Sequence, residues 1–347
     1  MRVPLAKRRR NGRRTATILG LLAIAALSLV VVRAQTNQLR LVSTAWPPFT
    51  NAPGQPRFAL DLVEAALGRI GVTTSTTIVD AAQFTPALLT GQFDGSAAAW
   101  KDPERERVLL FSQPYLENRL ILVGRQGADV SARSLTDLKG KRVAIVEGYA
   151  YGDTVDNSGP TFVRSISEED SLKQLLSSAV DYTLMDDLVV KYITEHYASE
   201  ARTRLQIGVI PMITRQLFFA VRRSRPDAQA IVDRFNSQVR AMIVDHTYHR
   251  LLHVNWIRAD VNGDGLVEFV PQSDSAGPVE PQSAYSIFSA DPTTPEPRSE
   301  PERRYYVGGN IYTQWATVPD RYKSVDTQRP DPTNPGGSTA SIFTFSW

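Results

Sequence analysis

"WKDPERERVLLFSQPY", residues 100–115, is the stretch whose reading decides the fold. Just upstream stands a run of very small residues, Gly95-Ser96-Ala97-Ala98-Ala99, which reads as a buried strand approached closely by another group. A charged run from Lys101 to Arg107 follows, and then the apolar Val108-Leu109-Leu110-Phe111. Such a loop is either a solvated surface turn or a ligand cradle. The second reading has a physical basis, because open α/β sheets bind ligands beyond the carboxyl ends of their strands.

The flanking chain supplies the sheet. "LRLVSTAW" alternates as a short strand and "WPPF" breaks it. In "FALDLVEAALGRIG", Leu60, Val63, Leu67 and Ile70 share one helical face, and Gly71 stops the helix. "TSTTIVD" reads as a strand and "FTPALLTG" as a helix before the small-residue strand. The pattern restarts with strand "LILVGRQ" (120–126) and strand Val143–Val146, a helix at 168–177, strand "DYTLMD" and helix "LVVKYITEHY". "QLFFAVRR" is a further strand, and a long helix with a short follower ends near residue 252. Strands alternating with helices imply a parallel α/β sheet. Two such units follow one another with no break in composition.

The 347 residues suffice for two ordinary domains plus extensions. The net charge of +3 conceals an asymmetry, because residues 1–34 carry eight basic side chains and no acid. The remainder holds 31 basic against 36 acidic residues. An acidic body lacks the surplus Lys and Arg that a general nucleic-acid binder needs. The basic opening followed by "ILGLLAIAALSLVVV" (18–32) and a small-residue end reads as a secretory signal peptide over residues 1–34, hence an exported, periplasmic or extracytoplasmic protein. An uncleaved N-terminal membrane anchor is the alternative, although the apolar run is short of the ~20 residues a spanning helix needs. With no Cys there is neither a disulfide nor a thiolate metal site. From about Val270 the chain turns rich in Pro, Ser and Glu, interrupted by the aromatic patch "RRYYVGGNIYTQWATVPDRY", which is expected to form a hairpin or dock on the body. The last residues alternate polar and aromatic, like an outer-membrane strand, but one strand makes no barrel.

"WPPF", "LLTGQFDG", "DPERERVLLFSQPY", "DLKGKRVAIVEGYAYGD" and "DYTLMDDLVVKY", in this order over residues 39 to 257, resemble the extracytoplasmic solute-binding proteins of the polar amino-acid type. The resemblance implies a two-lobed α/β fold of the type II periplasmic-binding class, with two crossing strands as hinge and ligand closing the cleft. Carried over, lobe 1 is 39–119 plus 216–258 and lobe 2 is 120–215. A calcium-loop-like segment (259–274) and a Pro/Ser-rich C-terminal extension (275–347) follow.

By the same resemblance, Arg105 holds the place of the arginine that grips a ligand's α-carboxylate, which a guanidinium fork suits through two parallel hydrogen bonds. Pairing with Glu104 or Asp102 on the surface is the structural alternative. Asp102 stands where the family has threonine, and Trp100 where it has a polar residue. Asp102 therefore either turns away to hold Arg105 or faces the cleft and meets a cation. Asp186 falls where the family's acid receives the α-amino group, with Asp187 beside it as a candidate helix cap. "EGYAYGD" (147–153) is a glycine-flanked loop with backbone N–H groups suited to a carboxylate. Trp46, Phe49, Trp100, Tyr149 and Tyr151 are candidate aromatic walls, with core packing as their alternative role.

"DVNGDGLVE" (260–268) matches the start of a calcium loop, with Asp260, Asn262 and Asp264 at alternate positions, the Leu266 carbonyl and Glu268. Pro271 stands where the loop's bidentate Glu belongs, so the competing reading is a pair of Asn-Gly and Asp-Gly turns. A structural calcium is the one cofactor the sequence offers, and none is required. His246, His249 and His253 have helical spacing that suits zinc, or packing against apolar neighbours. The expected function is capture of a small polar solute, an amino acid or related amine or carboxylate, for an ABC-type permease. The alternatives are a cyclohexadienyl-dehydratase-like or peptidoglycan-lyase enzyme using Asp102, Glu104 or Glu147 as acid, and a sensory module with its own membrane partner.

Overall fold

The computed structural model describes residues 37–152, 155, 159–196, 203–282, 284–286 and 303–324. The signal segment and the terminal alternation lie outside the described residues.

Lobe 1 opens with β1 (Gln38–Thr44), α1 (Phe58–Gly68), β2 (Thr73–Val79), α2 (Ala81–Thr90), β3 (Gly95–Trp100), α3 (Pro103–Glu106) and β4 (Leu109–Phe111). All four positions read as one face of the first helix are buried, and Gly71 ends the turn with a φ of 74°. Each fully buried Leu or Val there contributes about 1.5–3 kcal/mol. The chain then crosses on β5 (Leu116–Arg125) into β6 (Arg142–Val146), β7 (Thr161–Ser165), α4 (Glu168–Leu176), β8 (Tyr182–Asp186) and α5 (Asp187–His196). It returns on β9 (Leu205–Arg222), and α6 (Ala228–Val244) and α7 (Thr247–Leu252) follow.

These strands form one sheet in the order β2-β1-β3-β9-β5-β8-β6-β7, with β4 also on β9. Within each lobe the expected parallel pairing holds, β1 with β3 and β6 with both β7 and β8. The sheet as a whole is mixed. β5 and β9 run antiparallel to each other because one carries the chain out and the other carries it back. They are the two crossing strands, paired from Leu116↔Leu217 to Arg125↔Leu205. The boundaries expected at 119/120 and 215/216 therefore fall inside β5 and β9.

The small-residue run packs as read, all six residues of β3 being buried. What approaches is the chain itself. A Cβ on Gly95 would lie 1.9 Å from the Ala220 carbonyl oxygen of β9, so only glycine lets this pair form.

After α7 the chain builds a second sheet, β12-β10-β11-β13-β14, from β10 (Trp256–Ala259), β11 (Glu268–Pro271), β12 (Tyr285–Ser286), β13 (Arg304–Val307) and β14 (Asn310–Tyr312). The aromatic patch is the β13–β14 hairpin, turned by Gly308 and Gly309 at φ of 55° and 81°. It docks by parallel pairing of β13 with β11. Phe269, Ala276, Tyr305, Val307 and Val318 form a separate small core there. The Tyr285 hydroxyl, buried, donates to the Glu117 carbonyl of the crossing strand β5 at 2.5 Å.

Candidate ligand-binding cleft

The charged loop folds as α3, a single helical turn. Asp102 is its N-cap: Oδ1 accepts from the backbone N–H of Glu104 (2.8 Å) and Arg105 (2.9 Å), and Pro103 starts the helix. Its other oxygen, Oδ2, lies 3.0 Å from Arg105 Nε in an ion pair. Asp102 thus turns away from the cleft to hold Arg105, one of the two dispositions the sequence allowed.

Arg105 borders the cavity between the lobes yet is only 2% exposed. Its Nη1 donates to the Trp100 carbonyl (2.9 Å), and Nη2 donates to Thr85 Oγ1 (2.7 Å) and to the Gly148 carbonyl (3.3 Å). Burial pulls its pKa down, and Asp102 offsets that. The two guanidinium edges able to grip a carboxylate through parallel N–H bonds share Nη2. Both Nη2 hydrogens are engaged by the protein, so neither edge is free in the closed form.

Aromatic rings close the rest. Trp46 and Trp100 come from the ends of β1 and β3, and Tyr149 and Tyr151 from the loop after β6. Ring centroids lie 5.7 Å apart for Trp46–Tyr149, 5.5 Å for Trp100–Tyr149 and 5.5 Å for Trp100–Tyr151, all edge-on and all between lobes. The Trp100 indole N–H donates to Asn118 Oδ1 (2.8 Å), which ties the ring to a crossing strand. Phe49 is different. It is fully buried behind Trp46 and against Phe58, a core residue that supports the wall. Tyr151 accepts the Val146 N–H on its hydroxyl and is nearly buried. The cavity that remains between them is small, about 30 Å³.

Asp186 is completely buried at the end of β8. Its Oδ1 accepts from Leu188 N (2.8 Å), and Oδ2 from Asn118 Nδ2 (3.0 Å) and Arg119 N (3.1 Å). The capping role expected for Asp187 therefore belongs to Asp186, and Asp187 pairs with Arg119 at 2.5 Å. Burial, and then Asp187, push Asp186 up to about 8.

Sequence reasoning missed Glu168, the first residue of α4. Its Oε2 is shielded from solvent and has no hydrogen-bond partner, and the same holds for the Trp46 indole N–H. The two groups act on each other across the lobes without reaching hydrogen-bond geometry. Burial, and then Asp186, push Glu168 up to about 8. Glu168 lies three residues beyond the end of β7, where a sheet presents ligand groups. That strand went unread in the sequence, and with it the signal. Arg215, on β9, was missed as well; its Nη2 donates to the Lys101 carbonyl, and its guanidinium lies 5.8 Å over the Trp100 ring.

Away from the cleft, the 260–268 loop is closed by its own carboxylates. Asp260 accepts from Gly263 and Gly265 N–H, and Asp264 from Leu266 N–H and Asn262 Nδ2. Leu266 itself is exposed. Glu268 is buried, and the Arg304 guanidinium bridges it (2.9 Å) to Asp264 (3.0 Å). His246 and His249 hydrogen-bond to the Pro271 and Val270 carbonyls of β11, and burial lowers His249 to about 4. Among the described residues, no three His, Cys, Asp or Glu gather in a way that could hold a metal ion.

A mixed sheet split by two crossing strands, with aromatic rings meeting between its halves, defines a two-lobed solute-binding protein of the type II class. The family model for bacterial extracellular solute-binding proteins, family 3, matches residues 40–258, and the chain belongs to that family. It is 23% identical over 221 residues to ABC transporter arginine-binding protein 1 of Escherichia coli K12, a match over 60% of this chain and 86% of that protein. Among solved structures it is similar in fold to an ArgBP mutant from T. maritima (TM-score 0.53, 23% identity, 62% of this chain and 94% of that one). The glutamate-bound GluR0 ligand-binding core from Nostoc punctiforme is also similar in fold (TM-score 0.52, 20% identity, 61% and 96%). Among the described residues no helix is long and apolar enough to cross a membrane.

Proposed function

We propose that the protein is an exported receptor that captures a small amino acid or related amine between its lobes and presents it, unchanged, to an ABC-type permease. The observation that carries this reading is the pair of antiparallel crossing strands, β5 and β9, with ring contacts from both lobes closing over one cavity. Closure of that kind supplies recognition by burial and needs no bond to break. Relatives named for arginine binding point to basic amino acids as the first solutes to try.

The test is a thermal-shift and calorimetric screen of the purified protein against basic, neutral and acidic amino acids and polyamines. A solute that binds the folded state at 100-fold its Kd adds about 2.7 kcal/mol. A shift with one solute, recovered chemically intact and weakened in Trp100→Ala, supports the receptor. Consumption of the solute would instead establish an enzyme.

A further inference from the structure

We infer that Asn262 is a site of self-modification. The backbone nitrogen of Gly263 displaces its side-chain amide, and the 260–268 loop acquires an aspartate or isoaspartate in place of the asparagine. Nothing in this chemistry depends on the cleft or on what the cleft binds.

The sequence brings the reactants together. Asn followed by Gly occurs twice in the chain, at Asn11-Gly12 and Asn262-Gly263, and only the second pair lies among the described residues. Glycine matters because it sets no side chain beside the attacking nitrogen. Gly263 is exposed, with φ of 79°, and an added Cβ would meet nothing within 4 Å, so water reaches this peptide.

The fold then arranges them in reacting order. Gly263 N–H donates to Asp260 Oδ1 at 2.6 Å, so the proton that must leave the nucleophile already points at a carboxylate. Asn262 Oδ1 accepts from Asp264 N–H at 3.0 Å. That bond closes an Asx turn, a ring containing both Asn262 Cγ and the Gly263 nitrogen, and it polarises the carbonyl under attack. Asn262 Nδ2, the leaving nitrogen, donates to Asp264 Oδ2 at 3.1 Å. Asp260 is steadied by a second bond, from Gly265 N–H to Oδ2 at 2.9 Å, and Asp264 by Arg304 at 3.0 Å. Residues outside the reacting pair thus hold the base and the turn in place.

The step needs only water. The Gly263 nitrogen gives its proton to Asp260 and bonds to Asn262 Cγ, closing a five-membered succinimide. The Cγ–Nδ2 bond breaks, and ammonia leaves carrying that proton. Water then opens the ring at one carbonyl or the other, which yields aspartate or isoaspartate. Either product gives the loop one more negative charge. Where aspartate forms, the bond from Nδ2 to Asp264 becomes a meeting of two carboxylates beside Arg304.

The experiment incubates the purified full chain at neutral pH over days, folded and in urea. Mass spectrometry follows each asparagine peptide, and chromatography separates aspartate from isoaspartate. The expected result is a gain of about one dalton at Asn262, at least about tenfold faster than at Asn51, Asn236 or Asn310, and faster in the folded chain than in urea. Asp260→Asn keeps an oxygen acceptor for the Gly263 N–H but offers no base, so it should slow the folded chain to the rate seen in urea. A folded parent that converts no faster than the unfolded one would overturn the inference, because the loop would then give Asn262 no assistance. An undiminished rate in folded Asp260→Asn, with its melting midpoint matching the parent's, would overturn the role of Asp260 and the inference with it.

Discussion

Arg105 Nη2 and the Gly148 carbonyl oxygen meet at 3.3 Å across the cleft, one from each lobe. The same guanidinium is anchored on its own lobe by Asp102, Trp100 and Thr85. A side chain that the family resemblance assigns to the ligand is thus, in the closed form, a strut between lobes. Its properties depend on Asp102.

Replacing Asp102 tests that dependence. Asp102→Ala removes both the N-cap of α3 and the partner of a buried cation, and should cost about 2–3 kcal/mol, discounted because Asp102 is a quarter exposed. Asp102→Asn keeps the cap oxygen and loses the charge, so it should cost less. Urea unfolding midpoints of the two variants measure this. Equal losses would mean that the charge does not matter.

The pair Glu168 and Asp186 sets a pH dependence. Both stand near 8 in the folded chain, against ordinary values of 4.5 and 3.8. The folded state therefore holds protons that the unfolded chain releases between those limits. This part of the stability is full below about 4, falls as pH rises to about 8, and is flat above. Burial and the neighbouring carboxyls set the direction for both groups; Asp187, Tyr149, Tyr151 and Tyr285 stand around them, and Arg119 is engaged by Asp187. Thermal midpoints from about pH 5 to about pH 8 should fall less steeply in Glu168→Gln than in the parent. Identical slopes would remove Glu168 from the account.

Gly148 controls how closely the lobes meet. A Cβ there would lie 2.7 Å from the Ala81 carbonyl of α2, with φ at 80°. Gly148→Ala should open the cleft, costing the closed form about 1–3 kcal/mol and enlarging the radius of gyration in small-angle scattering. Gly140→Ala is the control, since it has φ of 77° with nothing within 4 Å of the added carbon. An unchanged radius in the first variant would show that closure does not bear on this contact.

Calcium at the 260–268 loop would have to compete with Arg304 for Asp264 and Glu268. Removing the competitor should strengthen any ion binding. Millimolar calcium is expected to raise the melting midpoint of Arg304→Gln by about 3 °C more than that of the parent, close to 1 kcal/mol for a body of this size. Equal midpoints with and without calcium in the variant would leave the loop as a pair of turns.

Much of the fold was legible because its signals are local. Leu60, Val63, Leu67 and Ile70 repeat at helical spacing, and Gly95–Ala99 are small for a reason that any close neighbour would impose. The motif set read along the chain set the order of elements, and the family model matches nearly the same span, 40–258. The site was legible only in part. Trp46, Trp100 and Tyr149 line the cavity, whereas Phe49 differs from them only in depth, which sequence does not encode. The acids were harder. Asp186 and Asp187 are neighbours, and which of them caps the helix depends on whether Asn118 and Arg119 arrive from 67 or 68 residues away. Glu168 reads as an ordinary acid in a first helical turn, where the helix dipole welcomes it. Only β7 beside β6 turns it toward Trp46. The C-terminal sheet was masked by Pro-rich flanks, though its aromatic hairpin stood out.

The Tyr285 hydroxyl on the Glu117 carbonyl has a mechanical consequence. Glu117 belongs to the strand about which the lobes turn, while β10, the neighbour of β12, follows directly from α7 on lobe 1. The small sheet is therefore fastened to the axle as well as to one of the wheels. Turning the second lobe either drags Tyr285 along or breaks its bond, so the stiffness of the joint is set partly by residues outside the span shared with relatives.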